Sequence, residues 1–476
     1  MKFIGIDIGT TSICAVVMNT QCGAIHAVTR ANDCWIQSQN PWERIQDPAK
    51  IASTVRRVLD GLLDEHQQIA GIGVTGQMHG IVYVDKQGGA VSPLYTWQDT
   101  RGGLPVRGGT MSYAEQLAQA TGYALAPGLG MVTHWYNLQN GLVPGEACGF
   151  CTIHDYLVMQ VTGNTTPLMD PTDAASLGVF DIHANAFDQP ALERAGIALR
   201  HLPQVVGSGT RAGCFREVPV YVALGDNQAS YLGSVRDVES SLLVNIGTGG
   251  QVSAFTQELV AIDGLDVRPF PGRGYLLVGP LLCGGKAYAM LENFFRRTTD
   301  FFGLPAGAAD LYSRMNAIDH VAVADHPGVD TRFAGTRQNP AMRGMIRDIS
   351  MDNFTPQHLI AGFLEGVAAE VHQFYLMMPE AVRGAIVALV GAGNGLRRNE
   401  LLCRILSGRF GHPMQIPVQR EEAAIGAALT AAVGAGHFSD FQSAGRMIHY
   451  AAEDGAGGGG AQVPSTQPNQ ETGISS

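Results

Sequence analysis

The chain has little lysine. Four lysines occur in 476 residues (Lys2, Lys50, Lys86, Lys286), so arginine supplies most of the positive charge. Basic residues number 31 against 42 acidic ones, a net charge of −11. That balance disfavours nucleic-acid binding and anionic membrane surfaces. It leaves phosphate recognition open, because backbone N–H groups and metal ions bind phosphate without a basic surface. Cysteine is also sparse. Eight in a chain of this length form no dense framework, which points to a reducing compartment. Cys148 and Cys151 make one C-x-x-C, with no second pair or spaced histidines to complete a zinc set. They read as incidental or buried thiols. No run of 18 apolar residues is present, so no membrane span is expected. Asp7 interrupts the apolar start, which excludes a signal peptide. The expectation is a soluble, cytoplasmic protein.

Glycine is what the chain has in excess, with 60 residues and no repeating period. Many tight turns and close backbone approaches follow. Apolar residues make up 45%, enough for a large core. At about 100–200 residues per domain, the length predicts two or three domains.

The start reads as strands Lys2–Ile8, Ile13–Met18 and Ala24–Arg30, the first two flanking Gly9-Thr10-Thr11-Ser12. Apolar residues at Ile51, Val55, Leu59, Leu62 and Leu63 predict a helix over Pro48–Glu65. Ile69–Val74 returns to strand, followed by Gly76-Gln77-Met78-His79-Gly80. Val218–Leu224 is a strand ending at Gly225-Asp226-Asn227-Gln228. Ser241–Ile246 and Gln251–Phe255 flank Gly247-Thr248-Gly249-Gly250. Asp7-Ile8-Gly9-Thr10 therefore returns as Asn245-Ile246-Gly247-Thr248, 238 residues later, between two strands in both places. This marks an internal repeat in which each copy is long enough to be a domain. Ala385–Val390 is a strand ending in Gly391-Ala392-Gly393-Asn394-Gly395, with a helix from about Arg398. Glu421–Val433 is an Ala-rich helix suited to close backbone contact. The pattern is α/β.

Several motifs fail on context. Gly71–Gly76 satisfies G-x-G-x-x-G, but its glycines lie in a strand that follows a helix, the wrong order for a dinucleotide site. Gly279–Ala287 has Gly285 where a P-loop needs Lys. His79, His134 and His154 are scattered and read as hydrogen-bonding or core residues. The two Gly-Thr hairpins are more informative. Glycine lets backbone N–H groups approach a phosphate, and Thr10, Thr11, Ser12 and Thr248 add hydroxyls. Asp7, at a strand end, suits Mg²⁺. Asp226, after a strand and a glycine, suits either a general base for a substrate hydroxyl or a helix N-cap. Gln77, Met78, His79, Trp97, Gln98, Asp99 and Arg101 mix rings and hydrogen-bonding groups, as a polyhydroxylated ligand requires.

In this order, Asp7–Ser12, Gly76–Gly80, Trp97-Gln98-Asp99, Gly225–Gln228, Asn245–Thr248 and Gly391-Ala392-Gly393 make the chain similar to the FGGY carbohydrate kinases, from about Lys2 to Val433. Within the family, Thr96–Arg101, Thr152–Tyr156, Asp173–Ser176 and Ala223–Ser230 resemble the sedoheptulokinase branch most, with the D-xylulokinases next. The resemblance implies two actin-like ATPase domains of ribonuclease-H-like fold with the active site in the cleft between them. These would span residues 1–235 and 236–450, followed by a disordered tail over 451–476. It implies ATP and Mg²⁺ as cofactors and a small sugar as the partner. Asp226 would be the catalytic base and Asp7 a Mg²⁺ ligand. Thr10, Thr11 and Ser12 would face the γ-phosphate, with Gly247 and Thr248 as the second phosphate loop. Gly391, Ala392, Gly393 and Asn394 would line the adenosine side. Gln77, Met78 and His79, with Trp97, Asp99, Asp226 and Asn227, would form the sugar side. One position departs from the pattern. The family commonly has Lys or Arg two residues after the Ser or Gly of the first loop, where this chain has Cys14. The expected reaction is phosphorylation of sedoheptulose to sedoheptulose 7-phosphate. D-xylulose or another ketose or polyol is the alternative substrate, and a non-catalytic sugar or nucleotide sensor the alternative class.

Overall fold

The computed structural model describes residues 1–303, 311–318, 325–336, 339 and 341–451. The expected tail lies outside the described residues except for Ala451.

The first half builds one large sheet. Its elements are β1 (Lys2–Ile8), β2 (Ser12–Asn19), β3 (Ile25–Ala31), α1 (Pro48–Glu65), β4 (Ile69–Gly76), α2 (Ile153–Thr162), α3 (Pro171–Leu177), β5 (Arg211–Phe215), β6 (Val218–Tyr221), the short β7 (Leu224–Gly225) and α4 (Asp226–Leu232). The seven-stranded sheet runs β5-β6-β4-β1-β2-β3, with β7 also pairing with β4. β1 is antiparallel to β2 and parallel to β4. The expected single strand Val218–Leu224 is thus two, because Val222 and Ala223 step the chain across to the end of β4.

The second half repeats the plan. It contains β8 (Ser241–Ile246), β9 (Gly250–Thr256), β10 (Asp266–Pro269), β11 (Tyr275–Leu281), α5 (Gly284–Phe301), α6 (Pro356–Met377), β12 (Ala388–Ala392), α7 (Glu400–Phe410), β13 (Met414–Gln415) and α8 (Glu422–Gly434). The six-stranded sheet runs β10-β11-β9-β8-β12-β13. The hairpin β8/β9 with parallel β12 mirrors β1/β2 with parallel β4. The Gly-Thr repeat of the sequence is therefore a repeat of strand topology, and both hairpin loops occupy equivalent corners.

α1 forms where expected. Asp47 caps it, accepting from the N–H groups of Ala49 and Lys50, and Pro48 opens its first turn. It buries Ile51, Val55, Leu59 and Leu62 against Ile4, Ile6 and Ile8 of β1. Each such side chain contributes about 1.5–3 kcal/mol of burial. Strand alternation then places Phe3, Gly5 and Asp7 on the opposite face of β1. That face is covered by α8, a helix of the second half. A Cβ on Gly5 would lie 1.8 Å from the Ala424 carbonyl oxygen, and one on Gly73 would lie 1.9 Å from that of Ala427. On its other side α8 touches α4, where a Cβ on Gly426 would lie 1.9 Å from the Ala229 oxygen. Small residues at these contacts let backbone pack on backbone. The G-x-G-x-x-G of residues 71–76 is thus a packing feature inside β4. No helix among the described residues is long and apolar enough to cross a membrane.

Candidate active site

Asp226 is the first residue of α4, and the N-cap is Gly225. The N-cap alternative for Asp226 is therefore excluded. Gly225 pairs with Gly76 at the end of β4, and its N–H donates to Thr172 Oγ1 at 2.9 Å. Burial raises the Asp226 pKa, against the opposing pull of His154 and Arg268. Asp7 lies one strand away, its pKa raised to about 7 by burial first, then by Asp226 and Glu421. Glu421 is the N-cap of α8. Asp7 thus feels two further carboxylates, Asp226 and Glu421, although the three do not close into a single cluster of ligand atoms. A divalent cation with oxygen ligands fits that donor set.

The first hairpin turns between Ile8 and Ile13, with the Thr11 and Ser12 side chains exposed at its tip. Asn32 Nδ2 donates to the Gly9 carbonyl at 2.8 Å and fixes the turn. Thr10 is tied to Trp97 and Gln77. Trp97 Nε1 donates to Thr10 Oγ1 at 3.0 Å, and that hydroxyl donates to Gln77 Oε1 at 3.4 Å. Gln77 Nε2 donates to Gln46 Oε1, and Gln46 Nε2 to the Thr10 carbonyl, both at 2.9 Å. Gln77 is consequently buried, with both ends of its amide engaged. Met78 is buried beneath Gly225, where a Cβ would meet its Cε at 2.5 Å. His79 adopts φ +73° and its Nδ1 lies 2.7 Å from the Ser176 carbonyl, so α3 fixes the ring. Asn227 is 6% exposed, and neither its Oδ1 nor its Nδ2 has a partner. A buried, unsatisfied amide beside Asp226 is what a ligand hydroxyl would complete.

Behind Asp226 lies a second group of buried polar residues. His154 Nε2 is 2.9 Å from Asp173 Oδ2, both fully enclosed. Burial pushes Asp173 well up and His154 down, which favours the neutral form of each. His154 and His134 are core residues, as expected; His134 Nδ1 lies 2.8 Å from the Tyr83 hydroxyl. Cys148 is exposed and Cys151 buried, both as free thiols.

Two expectations need correction. Asp99 is fully buried, and its two oxygens accept from Arg101 Nε at 2.7 Å and Nη2 at 3.0 Å. Arg101 also stacks on Tyr95 at 4.2 Å, so the pair is a scaffold for the Trp97 loop, with no face left for a sugar. Gly391 and Ala392 are interior positions of β12, Gly391 packed on Met414 and Ile416. The third loop reaches the surface only at Gly393, Asn394 and Gly395, and a one-turn helix, Asn394–Arg397, precedes α7, which starts at Glu400 close to where a helix is expected. Gly393 has φ +81°, and a Cβ there would lie 2.6 Å from the Ile246 carbonyl, so this loop and the second hairpin touch.

Those residues border a cavity of about 1040 Å³. Gly247 and Thr248 form one edge, and Gly393, Asn394 and Gly395 another. Sequence reasoning missed Lys286, Tyr288, Asn316 and Arg398 in its wall. They come from segments that carry no motif.

The N-terminal and C-terminal domain models of the FGGY family of carbohydrate kinases match residues 2–233 and 242–435. The chain belongs to the FGGY family of carbohydrate kinases. It is a phosphotransferase acting on an alcohol group of a carbohydrate, built from two actin-like ATPase domains with the active site between them. This FGGY kinase is 29% identical to mouse sedoheptulokinase over 90% of its own length and 96% of that protein. Against xylulose kinase of Streptomyces coelicolor the identity is 27%, over 90% and 87%. Among solved structures, the xylulose kinase from Rhodospirillum rubrum matches at a TM-score of 0.80 and 22% identity, over 94% of this chain and 93% of that one. The Plasmodium falciparum glycerol kinase with ADP matches at 0.75 and 16%, over 94% and 93%.

Proposed function

We propose that this kinase transfers the γ-phosphoryl group of ATP to the terminal hydroxyl of a ketose, converting sedoheptulose to sedoheptulose 7-phosphate. The observation that carries the chemistry is the placement of Asp226, raised in pKa, between Asp7 and the unpartnered Asn227. Asp226 accepts the proton of the attacking hydroxyl as the phosphoryl group transfers in line. Asn227 orients the sugar through its free amide. Thr10, Thr11, Ser12, Gly247 and Thr248 stabilise charge on the phosphoryl oxygens, and Gly393 and Asn394 border the adenosine. Asp7, with Asp226 and Glu421 nearby, would hold Mg²⁺, which supplies charge neutralisation when bound. The division at residues 235/236 separates the sugar-side half from the nucleotide-side half.

The seven-carbon choice is supported by sedoheptulokinases of mouse and human, 29% and 28% identical over nine-tenths of this chain. Xylulose is the second reading, favoured by the 27% identity to the Streptomyces enzyme. The test is kcat/KM by coupled ADP release across sedoheptulose, xylulose, ribulose, gluconate and glycerol, with Asp226→Asn as the blank. Sedoheptulose leads by at least tenfold if the reading holds; a lead for xylulose transfers the assignment to it. No turnover with any of them, alongside measurable sugar binding, points to a sensor.

A further inference from the structure

We propose that Lys286 supplies to the nucleotide's phosphate chain the positive charge that the family commonly carries on the first hairpin and that Cys14 leaves out here. The inference rests on the reading that ATP is the phosphoryl donor.

The loop of the first hairpin, from Gly9 to Cys14, carries no lysine or arginine. Cys14 pairs with Asp7 across β1 and β2 and is 4% exposed. A thiol side chain carries no positive charge in either protonation state, so Cys14 offers a phosphate none. Thr29 Oγ1 donates to its sulfur at 3.8 Å. The charged groups facing it are Asp7 and Glu421, both acidic. Arg268, which approaches Asp226 from β10, is engaged by Asp266 at 2.9 Å.

The second hairpin has the cation that the first lacks. The start of α5 is built onto it: Gly285 N–H donates to the Gly247 carbonyl at 3.1 Å, and Lys286 N–H to that of Thr248 at 2.9 Å. A Cβ on Gly285 would lie 2.1 Å from the Gly247 oxygen, so only glycine allows this docking. Lys286 therefore sits directly beside the second phosphate loop, on the wall of the 1040 Å³ cavity. Its side chain is exposed, with no acidic partner among the described residues. Of the other three lysines, Lys50 is paired with Asp47, and none borders the cavity. A flexible ammonium suits phosphate as a point charge. Arg398 is the other cation of the wall, but it follows the third loop, next to Asn399, and its carbonyl accepts from Asn316 Nδ2 at 2.9 Å. That puts it beyond the loop assigned to the adenosine.

The test is calorimetric titration with AMP, ADP and a non-hydrolysable ATP analogue, on wild type, Lys286→Gln, Lys286→Arg and Arg398→Gln. Losing a charge-assisted contact to the β- and γ-phosphates should weaken the analogue about 10- to 100-fold in Lys286→Gln. AMP should change less than about threefold, because its single phosphate lacks those groups. Lys286→Arg should recover most of the loss. Adding Cys14→Lys to Lys286→Gln should restore analogue binding in part, provided the melting temperature shows that the double variant folds. Unchanged analogue affinity in Lys286→Gln, an equal loss for AMP, or a loss specific to Arg398→Gln would each overturn the assignment. Wild-type protein that binds no adenine nucleotide would overturn the ATP reading itself, and this assignment with it.

Discussion

The indole N–H of Trp97 donates to the hydroxyl of Thr10 at 3.0 Å, joining the Trp97 loop to the first hairpin. The same hydroxyl reaches Gln77 at 3.4 Å, so one threonine ties the Trp97 loop to the residue that follows β4. Trp97→Phe keeps the ring and deletes the donor. A neutral hydrogen bond contributes about 0.5–1.5 kcal/mol, so kcat/KM should fall roughly 2- to 10-fold. Trp97→Ala also deletes the exposed ring face and should raise the sugar KM further. Steady-state kinetics with sugar and ATP varied separately would separate the two losses; equal kinetics in Phe and wild type would dismiss the bond.

Asp7 gives a pH signature. Its folded pKa, about 7, lies above the ordinary carboxylate value of 3.8. Between those values the folded state holds the extra proton, so Asp7 costs stability as pH rises through that window. Asp7→Asn removes the cost. Without divalent cations the variant should be more stable than wild type at pH 8, by about 1–2 kcal/mol after allowance for the half-buried position, and equal to it near pH 4. Added Mg²⁺ should raise the wild-type melting temperature and leave that of the variant where it was. Thermal melts over this pH range, with and without Mg²⁺, decide it.

Asp226 should set the acid limb of catalysis. Burial lifts its pKa, so the limb of kcat/KM against pH should lie above the ordinary carboxylate range. Asp226→Asn should lose about 10²- to 10⁴-fold in kcat with the melt unchanged or improved. A variant that keeps near-normal turnover would remove Asp226 from the mechanism.

Asp99 belongs to stability. It is fully buried with both oxygens on Arg101, so Asp99→Ala leaves a buried guanidinium with only Asn137 at 2.7 Å and the longer Glu43 contact at 3.4 Å. Breaking such a pair costs about 3–5 kcal/mol. Denaturant melts should show that loss, whereas a sugar-contacting role would raise KM in a protein of unchanged stability.

What was legible in the sequence was local. The Gly-Thr hairpins, the helix over Pro48–Glu65 and the strand Ser241–Ile246 follow from periodicity and turn residues, and they stand where expected. The position of Asp226, directly after a strand end and a glycine, stands as the sequence reads it. Asp99 misled because its type and loop suit a sugar, while Arg101, only two residues on, turns inward to claim it. Gly391 and Ala392 misled because β12 runs to Ala392, two residues past the apolar run. Lys286, Tyr288 and Asn316 carry no pattern. Lys286 and Tyr288 share α5, and a tertiary contact, the bond from the Tyr288 hydroxyl to Asn316 Oδ1 at 2.9 Å, brings Asn316 to them.

The position of α8 bears on the order of events during synthesis. Residues Glu422–Gly434 cover the face of β1 and β4, whose own residues emerge from the ribosome more than 300 residues earlier. The bare face of Phe3, Gly5 and Gly73 must wait for them. The first half therefore cannot complete its core co-translationally, and a fragment ending near residue 235 would present that face to solvent. Because α8 also brings Glu421 to Asp7, a helix made late in synthesis completes the group of carboxylates around Asp7. A nascent chain therefore lacks the Asp7–Glu421 juxtaposition until residue 421 has been made.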